Sequence, residues 1–312
     1  MEKLDVSVLI YTHDSAETLP TCLAHLEHQT FPAARFEVII LDDGSTDNTP
    51  MIVERFASGA PVPTRCLRFS DVSSAKARNQ GAREARGRWL IFLDDELLAS
   101  PQLVERHVRA QETHGGRAGI IGNVVPHPQM MTAAFTRWVM PEESFEMRED
   151  EPLPFLDWRG ANISISKDLL LDAGGLDESF AYPLFDDAEL GWRLGKLGVH
   201  GYFAPAAYAY IWRQTDFAAE RRRHYAKGYA LHRLARATQP PPIFKRYRVE
   251  RDSLGNRFET FMAPFWARMC MKANKDSPLF MRLYRRVLRY DLYHGFQDAR
   301  RGRPPRESAV GM

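Results

Sequence analysis

A chain of 312 residues, 44% hydrophobic and 26% charged, can bury a full core as one large domain or as one domain with an appendage. No window approaches 18 uninterrupted apolar residues, which excludes a bilayer-spanning helix. The net charge of +2 hides an asymmetry: residues 1–212 sum to about −12 and residues 213–312 to about +14, a split that points to an anionic partner or membrane surface.

Val6 to Tyr11 reads as a short apolar strand, and Thr12-His13-Asp14-Ser15 then offers helix-capping side chains. The helix expected next, to about Gln29, carries Leu19, Cys22, Leu23 and Leu26 at helical spacing. Phe36 to Leu41 is a second strand, closed by Asp42-Asp43-Gly44-Ser45-Thr46-Asp47. There Gly44 permits a turn that a Cβ would oppose. Leu67 to Phe69 is a third, shorter strand, and Ser73 to Ala85 is a helix with Ala75, Ala77, Ala82 and Ala85. Trp89 to Leu93 is a continuous apolar run that ends in Asp94, Asp95 and Glu96, the pattern of a strand buried on both faces. This alternation is that of a doubly wound, parallel α/β sheet.

Open α/β sheets bind ligands outside the carboxyl ends of their strands, where two of these strands carry acids. The three carboxylates at 94–96 repel one another unless a cation or hydrogen-bond donors compensate. Such an oxygen-only cluster suits Mg2+ or Mn2+. The other reading is a helix starting at Leu97, with the acids complementing its dipole. Asp42 and Asp43 are either acceptors for a base and ribose or plain turn chemistry. No G-x-G-x-x-G follows the first strand and no G-x-x-x-x-G-K-[ST] occurs, which argues against a dinucleotide dehydrogenase or a P-loop NTPase. A nucleotidyltransferase would need a Gly-rich phosphate loop with a Lys after the first strand, and Thr12-His13-Asp14 is not one.

The runs Ser7-Val-Leu-Ile-Tyr-Thr-His-Asp14, Val38-Ile-Ile-Leu-Asp-Asp-Gly-Ser-Thr-Asp47, Ala77-Arg-Asn-Gln-Gly81 and Phe92-Leu-Asp-Asp-Glu96 resemble, in order and spacing, the family 2 glycosyltransferases of the GT-A fold. Gly160-Ala161-Asn162, Gly174-Gly-Leu-Asp-Glu178 and Asp186-Asp-Ala-Glu-Leu-Gly-Trp-Arg-Leu194 resemble that family's acceptor-side motifs. The resemblance covers roughly residues 5–230. It implies a Rossmann-like, mostly parallel sheet flanked by helices, with a helical C-terminal extension. It also implies an enzyme moving a sugar from a nucleotide-diphosphate donor, expected to be UDP-linked, to an acceptor hydroxyl with inversion. Thr12, Asp14, Asp42, Asp43, Arg78, Asn79, Asp94 and Asp95 would bind the donor. Asp94 and Glu96 would hold a divalent metal, Mn2+ or Mg2+, on the diphosphate. Glu96 departs from the family's usual Asp, and Tyr208-Ala-Tyr-Ile-Trp-Arg213 lacks the His that many relatives add as a metal ligand. His200 and His224 are the nearest candidates. These departures are the support for the alternative, a catalytically impaired relative that binds a nucleotide-sugar or glycan.

Asp187 falls at the position of the family's catalytic base, where a carboxylate can take the acceptor's proton. Asp186 either positions the acceptor or caps the helix. Glu189 and Arg193 are spaced i,i+4 and can pair. Trp158 and Trp192 either wall the sugar pocket or pack in the core. Gly160 and Ala161 are small enough to let backbone approach the donor sugar. The connection 126–157, with Glu142, Glu143, Glu146, Glu149, Asp150 and Glu151, has no clear periodicity and reads as a flap or an insertion.

Gln239-Pro-Pro-Pro242 reads as a boundary, dividing a domain at 1–238 (donor half 1–125, acceptor half 126–238) from a basic helical extension at 239–312. There Phe258, Phe261, Met262, Phe265, Trp266 and Met269 fall at helical spacing around Pro264, which would start or kink a helix. Phe280, Leu283, Val287 and Leu288 form a second stripe opposite Arg282, Arg285, Arg286 and Arg289. The stripes can face an anionic membrane, the chain's own core or a second subunit, and Arg300 to Arg306 is expected to be disordered. Cys22, Cys66 and Cys270 lack metal-type spacing and read as reduced thiols, and Met-Glu-Lys-Leu-Asp-Val is no leader peptide. A cytoplasmic location is expected, with peripheral contact at the inner membrane face or a homodimer through the C-terminal helices as the alternatives for the basic stripes, and no nucleic-acid partner is expected.

Overall fold

The computed structural model describes residues 4–70, 72–139, 149, 151–238, 241–247, 249, 254–273 and 278–305. Glu142, Glu143, Glu146, Asp150, Gln239, Pro240 and Arg306 lie outside them, so the readings made there are left as expectations. The chain forms two compact units, Met1–His127 with Ser144–Ser179 and Asp186–Arg213, and Pro128–Glu143 with Phe180–Phe185 and Gln214–Met312. The division at residue 238 read from the proline run and the division at 213 differ because the helix at 217–237 packs with the basic helices.

The first unit is built on an eight-stranded sheet. Its elements begin with β1 (Val6–Thr12), α1 (Leu19–Glu27), β2 (Phe36–Asp43), α2 (Thr49–Gly59), β3 (Thr64–Phe69), α3 (Ser74–Glu84) and β4 (Trp89–Leu93). β5 (Leu97–Ala99), α4 (Leu103–Thr113), β6 (Ala118–Pro126), β7 (Asn162–Ser166), α6 (Lys167–Asp172), α7 (Asp186–Gly195) and β8 (His200–Ile211) complete it, with α5 (Ala134–Val139) falling to the second unit. The order is β3-β2-β1-β4-β7-β6-β8-β5. β3, β2, β1 and β4 are mutually parallel, whereas β7 runs antiparallel to both β4 and β6. The sheet is mostly parallel, as the alternation led one to expect, with β6 and β8 also parallel and antiparallel pairings at β7 and between β5 and β8. β7 follows β6 across the long 126–157 connection and pairs antiparallel with it, which a connection of any length allows. Leu97 opens β5 and not a helix, so the acids at 94–96 sit in a turn between two strands.

β1, β2 and β4 are apolar and almost wholly buried, as strands covered on both faces must be. One core joins Leu9, Ile39, Leu41, Leu90 and Phe92 of these strands to Ala75, Ala77 and Ala82 of α3, Leu170 of α6 and Leu190 and Leu194 of α7. The alanines of α3 allow that helix to lie close on the sheet. Register sets Thr12 beside Asp42, and Asp42 beside Arg68.

The second unit contains α5, α8 (Phe217–Ala237), α9 (Pro241–Tyr247), α10 (Leu254–Ala273) and α11 (Pro278–Arg300). Leu283, Val287 and Leu288, three of the four stripe positions seen in the sequence of α11, are buried. That stripe packs inside the unit. α8 and α11 approach so closely that a Cβ on Gly228 would strike the Leu292 backbone, and one on Gly295 the Tyr225 backbone. Arg221 grips Asp291 through Nε (2.8 Å) and Nη2 (3.1 Å). α10 runs through Pro264 without ending there. Arg303, expected in a disordered tail, donates to Asp298 at 2.8 Å, which secures the chain just beyond α11.

Candidate active site

Three chain turns at the carboxyl ends of β1, β2 and β4 carry the acids. At the end of β1, Asp14 adopts a positive φ of 48°, tolerable for a short polar side chain that bonds locally. Its Oδ1 accepts from the amides of Thr46 (2.6 Å) and Asp47 (3.2 Å), and its own amide donates to Ser45 Oγ (2.9 Å). The Thr46 amide holds its carboxyl below the usual range. Asp14 thus ties the first turn to the second. Gly44, at φ 73°, makes that second turn possible.

At the end of β2, Asp42 is buried and accepts from the Ser45 amide (3.0 Å) and Arg68 Nε (3.4 Å). Asp43 accepts from the Tyr11 hydroxyl (3.0 Å) and the Val72 amide (3.0 Å). Burial, with the neighbouring Asp43 carboxylate, keeps the Tyr11 phenol protonated well above its ordinary value.

The end of β4 is different. The Asp94 amide donates to the Ala161 carbonyl at 3.0 Å, which fixes the acid turn against the segment entering β7. The Asp94 residue is open to solvent, yet the protein around its carboxylate penalises the charge. That desolvation, then the charge of Glu96, pushes its carboxyl up to about 7, with Arg78 opposing and Asp95 and Asp187 adding to the rise. Asp95 is pushed up to about 6 by burial, against the lowering influence of the Ser15 and Thr12 hydroxyls. Glu96 is paired with Arg213 at 2.9 Å.

Asp186 and Asp187 open α7, directly after Phe185 at φ 69°, a backbone state that bulky residues adopt only under constraint. Buried Arg78 of α3 donates through Nη2 to Asp186 and through Nη1 to Asp187 Oδ1, the latter at 3.3 Å. Burial alone would lower the proton affinity of Arg78, but the carboxylates of Asp186, Asp187 and Asp94 hold the guanidinium charged. Asp186 is raised by its burial and lowered by Arg78. Arg78 Nε and Asp186 Oδ1 are buried without a hydrogen-bond partner, unusual for a folded protein unless the groups serve a site. A Cβ on Gly160 would overlap the Asp187 carboxylate, so only glycine leaves room for it. Asp187 against Gly160, and Asp94 bonded to Ala161, therefore share one backbone segment and one cation, Arg78.

The structure gathers Asp94, Asp95, Arg78, Gly160, Ala161, Asp186 and Asp187, and links Thr12, Asp14, Asp42 and Asp43 through the neighbouring turns. Other expected residues are placed elsewhere. Asn79 donates to the Leu176 carbonyl (3.0 Å) and Glu178 Oε1 (2.9 Å) and accepts from the Leu176 amide (2.8 Å), orienting the Gly-Gly loop. Trp158 is 4% exposed, in the core, with its ring against Gly119, Gly191 and Gly201. Trp192 stacks with Lys196, 3.3 Å from ring centroid to Nζ. Both tryptophans line a cavity of about 260 Å³ with Phe155, Val199 and His200, which holds none of the acids. Arg193 pairs with Glu189 at 2.8 Å, as the spacing suggested, and also donates to the Ala173 and Gly175 carbonyls.

Sequence reasoning missed Arg213, which meets Glu96 across 117 residues and so left no local signal. It also missed His107, for which no signal existed. His107 is fully buried between Asn162 Oδ1 (2.9 Å) and Ser164 Oγ (3.0 Å), and burial pushes it down to about 4. It braces the start of β7 and so the Gly160–Ala161 segment. Among the described residues, no group of three or more His, Cys, Asp or Glu side chains converges as a metal site. The donor set still suits a hard cation. Asp94 meets solvent and is destabilised by neighbouring carboxylates, and Mg2+ or Mn2+ can complete its shell with water and phosphate oxygens.

The family model described as "Glycosyl transferase family 2" matches residues 7–164. Among curated proteins, the chain is 29% identical over 221 residues to validoxylamine A glucosyltransferase of Streptomyces hygroscopicus subsp. jinggangensis, covering 62% of this chain and 52% of that protein. It is also 29% identical over 176 residues to glycosyltransferase AglE of Haloferax volcanii, covering 54% and 55%. The chain spans about half the length of these relatives. Among solved structures it resembles mannosyltransferase PcManGT of Pyrobaculum calidifontis in complex with GDP-Man and Mn2+, with a TM-score of 0.65 at 17% identity over 97% of this chain and 89% of that one. It likewise resembles S. aureus TarS in complex with UDP-GlcNAc, with a TM-score of 0.56 at 15% identity over 97% and 93%.

Proposed function

Because the chain belongs to glycosyl transferase family 2 and has the GT-A fold, we propose that it is an inverting glycosyltransferase acting on a nucleotide-diphosphate sugar. The observation that carries the reading is the shared Gly160–Ala161 segment, which sets Asp94 and Asp187 around one buried arginine. Asp187 accepts the proton of the incoming hydroxyl. The freed oxygen pair forms a bond to the anomeric carbon, and the carbon–oxygen bond to the diphosphate breaks with its electrons. Attack opposite the leaving group inverts that carbon. Arg78 keeps Asp187 pointing at the acceptor and places a fixed positive charge beside Asp94.

Asp94 and Glu96 would hold a divalent cation, Mn2+ or Mg2+, whose chemistry is to neutralise the charge of the departing diphosphate. Arg213, already on Glu96, adds a second fixed cation there. Thr12, Asp14, Asp42, Asp43 and Asp95 would line the donor's base and ribose, and the donor is a UDP-sugar in this reading. PcManGT and TarS are described with GDP-Man and with UDP-GlcNAc, so a donor panel must include both nucleotides. Incubating the chain with Mn2+, a hydroxyl acceptor set and that panel should release one nucleoside diphosphate selectively. Absence of release together with absence of thermal stabilisation by any donor would sink the proposal. Stabilisation without release would favour the alternative, a binding relative that has lost turnover.

A further inference from the structure

A buried polar network joins α4 to β7. His107 and Gln111 lie one turn apart on α4, and Asn162 and Ser164 share one face of β7. None of the four is more than 1% exposed, whereas Ile163 and Ile165 on the other face of β7 belong to the apolar core. The hydrogen bonds have one consistent direction. Asn162 Nδ2 donates to the carbonyls of Asn123 (3.1 Å) and Ala207 (2.9 Å), so the amide oxygen must face His107. An oxygen there requires a donor, and His107 Nε2 supplies it at 2.9 Å. Burial keeps the ring neutral, which leaves Nδ1 to accept from the Ser164 hydroxyl at 3.0 Å. Ser164 Oγ accepts in turn from Gln111 Nε2 at 3.0 Å. Gln111 Oε1, at the far end, has no hydrogen-bond partner among the described residues. A flipped Asn162 would set its oxygen against two carbonyl oxygens, so the imidazole tautomer and the amide orientation hold each other.

Asn162 is boxed in. The pairing of β6 with β8 shifts between Gly122 and Asn123, and a Cβ on Gly122 would strike both the Asn162 amide and the Ala207 carbonyl. The site segment leaves from this pinned residue. Asn162 pairs with Leu93, the last residue of β4. The Asp94 amide donates to the Ala161 carbonyl at 3.0 Å, and Gly160 leaves the room that the Asp187 carboxylate fills. We propose that His107 is a positioning residue for the transfer step, holding Asn162 so that Gly160 and Ala161 keep Asp94 and Asp187 at their working separation. That role rests on the reading of Asp187 as the base and Asp94 as a cation-holding acid. His107 itself meets Asn162 and Ser164, not the site acids. A general brace, when weakened, would lower donor affinity along with turnover. A spacer between two acids acts chiefly on the step in which both take part, where a shift of about 1 Å can cost on the order of a hundredfold in rate.

The test compares His107→Leu with His107→Gln in the full chain. Leucine offers Asn162 no donor, whereas the glutamine amide can turn an N–H toward it. His107→Leu should lower the single-turnover rate by about ten- to a hundredfold, while donor affinity from calorimetry moves by less than about threefold. His107→Gln should recover most of the lost rate. A parental rate in folded His107→Leu, equal losses in both variants, or affinity falling as far as the rate overturns the proposal. Should His107→Leu fail to fold, as judged by circular dichroism, Ser164→Ala replaces it. Loss of the hydroxyl that selects the tautomer should cost about threefold or more in rate, and an unchanged rate overturns the proposal. Nitrogen NMR of the histidine-labelled parent at pH 7 needs no folded leucine variant. It should show a neutral ring with its proton on Nε2, assigned by its disappearance in His107→Gln. A proton on Nδ1 with Nε2 bare overturns the proposal, because no donor then faces Asn162. A parent that releases no nucleotide from any donor sinks the reading of the reaction instead, and the ring spectrum still decides whether the clamp on Asn162 exists.

Discussion

The ends of β2 and β4 carry nearly the same sequence and meet opposite fates. Asp42 and Asp43 have protein donors on their carboxylate oxygens: the Ser45 amide, Arg68, the Tyr11 hydroxyl and the Val72 amide. At the end of β4, Asp94 faces solvent on one side and like charges on the other, and its proton affinity rises accordingly. Adjacent acids at a strand end are therefore not equivalent. One set is satisfied by the fold and shapes the turns; the other is left under electrostatic tension that a ligand can relieve.

The sharpest challenge to that contrast is the third acid group. Asp187→Asn should lower turnover by about 10²–10⁴-fold, the usual span for a lost general base, while leaving donor affinity close to wild type. Single-turnover assays beside calorimetric donor titration would read both quantities. A variant that turns over normally removes Asp187 from the chemistry.

Next comes the contrast itself. Asp94→Asn should weaken cation-dependent nucleotide binding by roughly a hundredfold, a loss of a few kcal/mol in charge stabilisation, without lowering the unfolding temperature. Asp42→Asn, placed at the donor's base and ribose, should weaken binding alike with and without the cation; a loss as cation-dependent as that of Asp94→Asn would erase the distinction drawn between the two strand ends.

Proton competition gives a third handle. A carboxyl raised to about 7 is protonated below that pH and must lose its proton to hold a cation. Cation-dependent binding should thus fall as pH drops from 8 through 7 to 6, and the fall should vanish in Asp94→Asn. A pH-independent wild type would mean that Asp94 takes no part.

The smallest effect is structural. Asp42→Asn should cost about 1 kcal/mol in unfolding free energy, since the turn amide loses a charged acceptor and its arginine partner, Arg68, is more than half exposed and can turn to water. Chemical denaturation measures it, and an unchanged midpoint would show that the turn does not depend on that charge.

The amino-acid order determined the strands, because an apolar run such as Trp89 to Leu93 has no stable place except between two covered faces. It equally marked the acid-bearing turns, since Gly44 and the acids around it act over a few residues. The rest was decided at long range. Arg78 meets Asp186 and Asp187 across 108 and 109 residues, and Glu96 meets Arg213 across 117. Trp158 became core because three glycines on separate elements closed on its ring, and β7 takes its antiparallel place between β4 and β6, strands roughly 70 and 40 residues before it. Periodicity records what a residue's immediate neighbours require. Which charge answers which, and which aromatic ring is covered, depends on the packing of distant segments, and no local pattern encodes that.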